Sequence, residues 1–430
     1  MHVSIMLFTR DLRVRDNPAL AAACRAERVV PLFVFDDAIL NGRFAAPNRV
    51  RFLLDCLGDL RESLRGHGGD LVVRRGDPVA HVARIAAETG ARAVTLADER
   101  SAFGTRRLAA LRELRLEVSA HPGVTVVPPG ELAPSSGDHY RVFSPYWRAW
   151  EAARWRPVAD APARIRLPGG VEPGTLPELH DLTSGSLSPH LPTGGEHAGR
   201  DRMAAWLRSD AAAYEQAHDD LAADRTSRLS PYLKFGCVSP LELANATGGA
   251  YRRQLAWRDF HHQVAAAFPD LPRRDYRPRE RRWNREHDAL AAWCDGTTGV
   301  PIVDAGMRQL HREGFMHNRA RLITASFLTR NLAVDWREGL AHFGDWLIDG
   351  DIADNAGNWQ WVAGTGNDTR PNRVMNPLRQ AARYDPTGAY VRTHIPELAA
   401  VPAPHIHHPW TLPAETRHPL AYPPPIVDLP

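Results

Sequence analysis

Between residues 157 and 199 the chain carries seven prolines and seven glycines. Proline blocks a helix interior and glycine weakens one, so this stretch forms no long helix and divides the sequence in two. A chain of 430 residues also exceeds what one hydrophobic core ordinarily supports, so two domains are expected. Before the divide, short apolar runs alternate with helical patterns. Strands are predicted at Ser4–Thr9, Val29–Phe35, Leu71–Arg74, Ala93–Ala97 and Val124–Val127, and helices at Ala45–Leu64 and Pro78–Glu88. This alternation predicts a parallel, Rossmann-like α/β sheet covered by helices on both faces. Asn17-Pro18 reads as a helix start, with Asn capping and Pro in the first turn. No GxGxxG follows the first strand, which removes the main support for dinucleotide binding there.

Beyond the divide the pattern is helical. Val300–Arg312 carries Ile302, Val303, Met307 and Leu310 at helical spacing and stops at Gly314. Met316–Leu332 resumes with Ile323, Phe327 and Leu328. The expected organisation is an α/β domain over 1–130, a long linker over 131–200 draped on the surface, and an all-α domain over 201–430.

Composition excludes several classes. No apolar run is long enough to cross a bilayer, and the N-terminus lacks a basic n-region and a cleavage site. The four cysteines, Cys24, Cys56, Cys237 and Cys294, form no CxxC pair and fit no zinc or cluster spacing. They read as reduced thiols of a cytoplasmic protein. His405, His407 and His408 lack the spacing of a metal hydrolase, so no metal is expected. The net charge of +3 does not single out nucleic acid. Locally, Arg273, Arg274, Arg277, Arg279, Arg281, Arg282 and Arg285 stand against only Asp275 and Glu280. Such a cluster neutralises phosphates or forms a solvated loop.

Three segments carry candidate chemistry. Asp349–Trp361 crowds acids, amides and indoles after the apolar Trp346-Leu347-Ile348. Buried acids need partners; the N–H groups of a flavin ring edge would supply them, while the alternative is an exposed acidic turn. Thr226–Ser230 offers three hydroxyls and a guanidinium, which suits either a phosphate at a helix start or a ligand-free cap. Trp257, Trp283, Trp336, Trp359 and Trp361 make the helical part rich in indoles, either as core or as stacking and electron-carrying rings.

Together these segments resemble the photolyase/cryptochrome family, and in particular its microbial class I cyclobutane pyrimidine dimer (CPD) photolyases. Arg10–Arg13 with Asp16-Asn17 resembles the family's opening signature, and Tyr140–Tyr146 the motif that closes its α/β domain. Tyr214, Thr226–Ser230, Trp257–Phe260, Gly299–Gln309, Met316–Phe327, Asp335–Gly339 and Asp349–Trp361 then follow in the family's order. The resemblance implies a U-shaped FAD in the helical domain. Tyr214, Thr226, Ser227, Arg228, Leu229 and Ser230 match phosphate and ribityl positions. Arg258, Asn318, Arg321, Asp349 and Asp351 match flavin-site positions, with Arg321 and Asp349 resembling an ion pair beside the ring. Asn355 matches the residue facing flavin N5, where photolyases carry Asn, plant cryptochromes Asp and many animal cryptochromes Cys. Trp359, Trp336 and Trp283 match an electron-transfer chain from flavin to surface. Gln254, Trp257, Asn318, Arg319, Leu322, Trp361 and Gln380 match lesion-side positions.

The activity implied is that of a carbon–carbon lyase acting on UV-damaged DNA, in which an electron from photoexcited reduced FAD splits the cyclobutane ring and then returns. A dimer leaves the base stack at lower cost than an intact pair. An antenna chromophore of the deazaflavin or folate class is a second ligand of the family; residues 97–107 resemble its antenna loop only loosely, and no residues are assigned to it. The protein is expected to be monomeric. Three positions depart from the CPD pattern: Gln254 replaces the usual Glu, His218 the usual Arg and Leu322 the usual Met. Gln254 can still hydrogen-bond a thymine carbonyl but offers no carboxyl proton. The alternatives are a (6-4) photolyase and a cryptochrome-like blue-light receptor. The first lacks its histidine pair, since Asn318 and Leu322 occupy those positions. The second is disfavoured by Asn355 and by the twenty residues that follow Trp410.

Overall fold

The computed structural model describes residues 2–284, 287–370 and 373–429; Arg285, the last arginine of the basic cluster, lies outside them. The chain forms two compact units. The first comprises Met1–Ser186, Pro192–Ala212 and Ser227–Pro269, the second Leu187–Leu191, Ala213–Thr226 and Asp270–Pro430.

The first unit is built on five parallel strands: β1 (Val3–Leu7), β2 (Arg28–Asp36), β3 (Val72–Gly76), β4 (Ala93–Ala97) and β5 (Glu117–His121), in the order β3-β2-β1-β4-β5. β1 is central and buried along its whole length, which explains why all its residues but Ser4 are apolar. Ile5 stands between Val30 and Val94 in register. The helix Pro18–Ala23 starts as the sequence predicts, with the Asn17 side chain accepting from the Leu20 amide. Asp77 caps Pro78–Thr89 in the same way.

The fifth strand corrects the sequence prediction. Val124–Val127 is not a strand; β5 is Glu117–His121, whose partly exposed residues give a weak strand signal. The Val run is apolar for another reason. It is buried, and the amides of Val126 and Val127 donate to Oδ2 of Asp259, each at 2.9 Å. Trp150 Nε1 donates to the same oxygen at 2.9 Å. Burial pushes the Asp259 carboxyl above its ordinary value, against the pull of the Arg258 guanidinium 3.6 Å away.

The linker expected over 131–200 contains the helix Phe143–Ala152 and otherwise runs largely irregularly. It is tied to the sheet: Val29 N donates to Arg166 O at 2.9 Å, and Val73 N to Pro173 O at 2.7 Å. The helices Glu196–Ser209, Ser230–Phe235 and Gly249–Ala267 belong to this unit as well. Gly236, at φ +71°, lies so close to Arg10 that a Cβ would meet the Arg10 carbonyl oxygen at 2.0 Å. Arg13 Nη1 donates to the Gly236 carbonyl at 2.9 Å.

The second unit is helical. Pro301–Glu313, Asn318–Ser326, Trp336–Trp346, Ile352–Ala363 and Pro377–Tyr384 surround a core that includes Trp293, Trp336, Phe343 and Trp359. The Asn318–Ser326 helix widens into a π-helical turn at Phe327–Asn331. Among the described residues no helix is long and apolar enough to cross a membrane.

Asp259 gives the first prediction. Removing its carboxylate strands three buried donors, so Asp259→Ala should cost about 3–5 kcal/mol in a urea titration. A loss below about 1 kcal/mol, the worth of one ordinary hydrogen bond, would show that these donors find other partners.

Candidate functional site

The helix Ile352–Ala363 begins at Asp351, whose Oδ1 accepts from the amides of Ala353 (2.8 Å) and Asp354 (3.2 Å). From that cap, helical spacing places Asp354, Asn355, Asn358, Trp359 and Val362 toward one side. All five line a pocket in the second unit. Facing them are Asn318, Arg321, Leu322 and Ala325 from the Asn318–Ser326 helix, Phe343 and Leu347 around the end of the Trp336–Trp346 helix, and Asp349-Gly350.

The pocket has a charged edge and an apolar wall. Arg321 donates from Nη1 and Nη2 to both oxygens of Asp349, at 3.0 and 2.8 Å, and from Nε to Met316 O at 2.8 Å. The Asp349 side chain is only 3% exposed, so the bidentate pair is what makes its burial tolerable. Trp359, Phe343, Leu347, Leu322 and Val362 supply flat or branched apolar surface. A pocket of this kind suits a planar heteroaromatic ring with a polar edge.

Trp359 is placed by a glycine. It lies against Gly339, where a Cβ would sit 2.1 Å from Cη2 of the indole. Phe343 meets its ring edge-on at 5.0 Å, and Trp293 does so at 6.0 Å. Trp336, one turn from Gly339 on the same helix, is fully buried, and its Nε1 donates to Asp275 at 2.9 Å. Trp283 is half-buried, with the Arg281 guanidinium 5.6 Å above its ring.

Of the residues that the sequence assigns to the flavin, the structure brings together Asn318, Arg321, Asp349 and Asn355 around the pocket. Asp351 serves as a helix cap beside them rather than lining the pocket. Tyr214 and Thr226 also lie in the second unit; the Tyr214 ring stacks on His218 at 5.0 Å. Ser227, Arg228, Leu229, Ser230 and Arg258 belong to the first unit. Ser227 Oγ and Tyr251 Oη hydrogen-bond at 2.8 Å, Leu229 is fully buried, and Arg228 adopts φ +52°. Ser230 opens a six-residue helix. Arg258 donates to the carbonyls of Val124 (2.7 Å) and Leu233 (3.5 Å).

Among lesion-side candidates, Gln254 is exposed and Trp257 half-buried on the Gly249–Ala267 helix of the first unit. Arg319, Leu322, Trp361 and Gln380 are in the second unit. Arg319 grips both oxygens of Asp219, at 2.7 and 2.8 Å from Nη2, and lies 4.4 Å over the Tyr384 ring. Arg373 lies 4.9 Å over the half-buried Trp361, and Gln380 is half-buried. Arg273, Arg274, Arg279 and Arg282 are exposed. Burial and the neighbouring Arg281 and Arg279 push the Arg330 guanidinium down to about 10. This crowding of positive charge suits a polyanion.

Sequence reasoning missed Asp354, Asn358, Ala325, Phe343 and Leu347 in the pocket, and Trp293 behind it. The first two were recoverable from helical spacing within 349–361. The apolar residues carry no chemical signature.

The comparisons with known proteins agree with this geometry. Residues 4–164 match the DNA photolyase model, and residues 251–430 match the FAD binding domain of DNA photolyase. The chain is 52% identical to a deoxyribodipyrimidine photo-lyase of Streptomyces griseus, over 100% of this chain and 97% of the relative. It is 37% identical to a cryptochrome DASH of Natronomonas pharaonis, over 100% and 98%. A crystal structure of a bacterial class III photolyase from Agrobacterium tumefaciens superposes with a TM-score of 0.91 at 33% identity, covering 100% of this chain and 95% of that one. The fold and site define a flavoprotein with an α/β unit and a helical FAD-binding unit, and the chain belongs to the DNA photolyase family. The donors present fit its cofactor. The Asp349 carboxylate can accept from the polar edge of the ring system, the Asn355 amide can accept from it or donate to it, and the apolar wall can cover its faces.

Two outcomes follow. Arg321→Leu removes the guanidinium from the buried Asp349 carboxylate, so the purified variant should lose FAD on gel filtration; full flavin retention would contradict the placement of the ring. Gly339→Ala should cost about 1–3 kcal/mol in thermal or denaturant unfolding, as overpacking does. Unchanged stability would mean that the indole of Trp359 does not lie on that helix.

Proposed function

We propose that this protein is a light-dependent DNA repair enzyme that splits cyclobutane pyrimidine dimers. The observation that carries the reading is the pocket in which the Arg321–Asp349 pair and Asn355 face an apolar wall containing Trp359. Bound FAD, in its reduced state and under light, supplies the electron that breaks the cyclobutane bonds. The protein's part is to hold, insulate and aim. Asp349 and Arg321 orient the ring edge. Asn355, neutral at every pH, donates or accepts at the ring without adding charge. Leu322, Phe343, Leu347 and Val362 exclude water, which strengthens the electrostatics inside. To the passage of an electron inward from solvent we assign the half-buried Trp283, the fully buried Trp336 and the pocket-lining Trp359.

To DNA contact we assign the indole faces of Trp257 in the first unit and Trp361 in the second, with Gln254, Asn318, Arg319, Leu322 and Gln380, and to phosphate neutralisation the exposed arginines of 273–282. In functional terms we divide the chain into an antenna-type α/β domain over 1–130, a connecting segment over 131–200 and a catalytic domain over 201–430. An antenna chromophore of the deazaflavin or folate class would belong to the first. The enzyme works as a cytoplasmic monomer on this reading; its four free cysteines suit a reducing compartment.

The test is to reduce the flavin and illuminate the protein with oligonucleotides carrying either a CPD or a (6-4) lesion. Restoration of the CPD strand is expected. Restoration of the (6-4) lesion alone would reassign the substrate, and restoration of neither would leave the blue-light receptor. Trp359→Phe should block photoreduction of oxidised FAD yet leave repair by chemically reduced enzyme intact; loss of both would make Trp359 structural.

A further inference from the structure

The segment Tyr140–Tyr146, which resembles the closing motif of the α/β domain, has no role in the site described above. In the structure it leads into the Phe143–Ala152 helix and forms a wall behind the Gly249–Ala267 helix. Gln263 clamps its start: Gln263 Nε2 donates to Tyr140 O at 2.8 Å, and Tyr140 N donates to Gln263 Oε1 at 3.0 Å. The Trp150–Asp259 hydrogen bond clamps the Phe143–Ala152 helix at its other end.

Between these clamps the Phe143 ring lies face to face with Trp257. Their centroids are 3.6 Å apart and their planes differ by 7°. Phe143 is 5% exposed, and Trp257 is half-buried. Phe260 meets the indole edge-on at 5.5 Å and 90°, and His261 sits 5.7 Å away, tilted. The Arg253 guanidinium lies 5.5 Å over the Phe143 ring. Residues 253, 257, 260 and 261 recur at helical spacing, so one side of the helix presents them together.

Parallel rings at this separation admit nothing between them. Phe143 therefore occupies one face of Trp257, and only the other face is left for a base. An indole backed in this way is already ordered before a ligand arrives, and an unbacked one would have to lose rotamer freedom on binding. Stacking on an aromatic face is tolerant of base identity. A fixed plane adds geometry, because two pyrimidines joined by a cyclobutane ring cannot adopt the stacking of an intact step.

We propose that Phe143 is a positioning residue for lesion discrimination, holding Trp257 as a rigid, one-faced platform for the unstacked pyrimidine pair. This rests on the reading of Trp257 as a lesion-side ring.

The test uses the full-length, FAD-loaded protein in the dark. The quantity read is the ratio of affinities for a CPD oligonucleotide and the same undamaged sequence. Phe143→Leu keeps an apolar side chain but removes the flat face. It should lower the ratio roughly three- to tenfold, the scale of one aromatic pair, with flavin content and affinity for undamaged DNA retained. In a Trp257→Ala background it should add nothing. An unchanged ratio, or an equal loss in that background, would overturn the proposal. Wild-type protein that does not discriminate at all would contradict the repair reading instead. A second measurement needs no DNA. In fluorotryptophan-labelled protein, the fluorine resonance missing from Trp257→Phe identifies Trp257. It should shift or broaden in Phe143→Leu and stay in place in Phe143→Tyr; a line unmoved in Phe143→Leu would overturn the platform. Phe143→Met serves both measurements should the leucine variant fail to fold.

Discussion

The flavin site depends on one ion pair. Asp349 is buried almost completely, and an unpaired carboxylate there would be intolerable. Arg321 meets it with a two-pronged fork and ties itself to the Met316 carbonyl with its third donor. That arrangement fixes the start of the Asn318–Ser326 helix and the loop that follows Trp346. Two residues beyond Asp349, Asp351 caps the next helix, so the cap and the ion pair together set which side of Ile352–Ala363 faces the pocket. Asn355 and Trp359 owe their positions to this. The charged pair thus builds the polar edge of the pocket.

How much of this was legible in the sequence varies with the kind of signal. β1, β2 and β4 were readable because central parallel strands are largely apolar, and the edge strand β3 because the apolar Leu71-Val72-Val73 spans its start. β5 was not, because Glu117–His121 is a half-exposed edge strand with polar ends. Val124–Val127 looked like a strand for the opposite reason. It is buried, but the amides of Val126 and Val127 are satisfied by a helix carboxylate 133 and 132 residues away in sequence, which no local pattern reveals. In the site, Asp349 and Asn355 stood out because Asp349–Trp361 crowds acids, amides and indoles after an apolar run, whereas Arg321 was legible only through the resemblance to the photolyase/cryptochrome family. Ala325, Phe343 and Leu347 did not, since a ligand wall and a protein core use the same residues. Composition did not reveal the Ser227–Tyr251 hydrogen bond, which links residues 24 apart in sequence.

The tryptophans divide along similar lines. Trp150, Trp293 and Trp336 are fully buried, yet each finds a partner for its N–H: Asp259, the Thr324 carbonyl and Asp275 respectively. Trp257, Trp283 and Trp361 keep an open part, each with a ring or a guanidinium against it. These three buried indoles are thus held by hydrogen bonds, and these three half-buried ones by a ring or a guanidinium. That distinction separates rings that a substrate or solvent can reach from rings that transmit order within the core.

The account's central claim is that light absorbed by FAD in the Arg321–Asp349 pocket drives dimer splitting. Its most direct test is an action spectrum: the yield of CPD loss per photon across the near-ultraviolet and blue, in protein whose FAD content has been measured. The predicted yield follows the absorption of the reduced flavin and scales with flavin occupancy. Dimer loss that is independent of flavin content, or no loss at any wavelength in fully loaded and reduced protein, would contradict it.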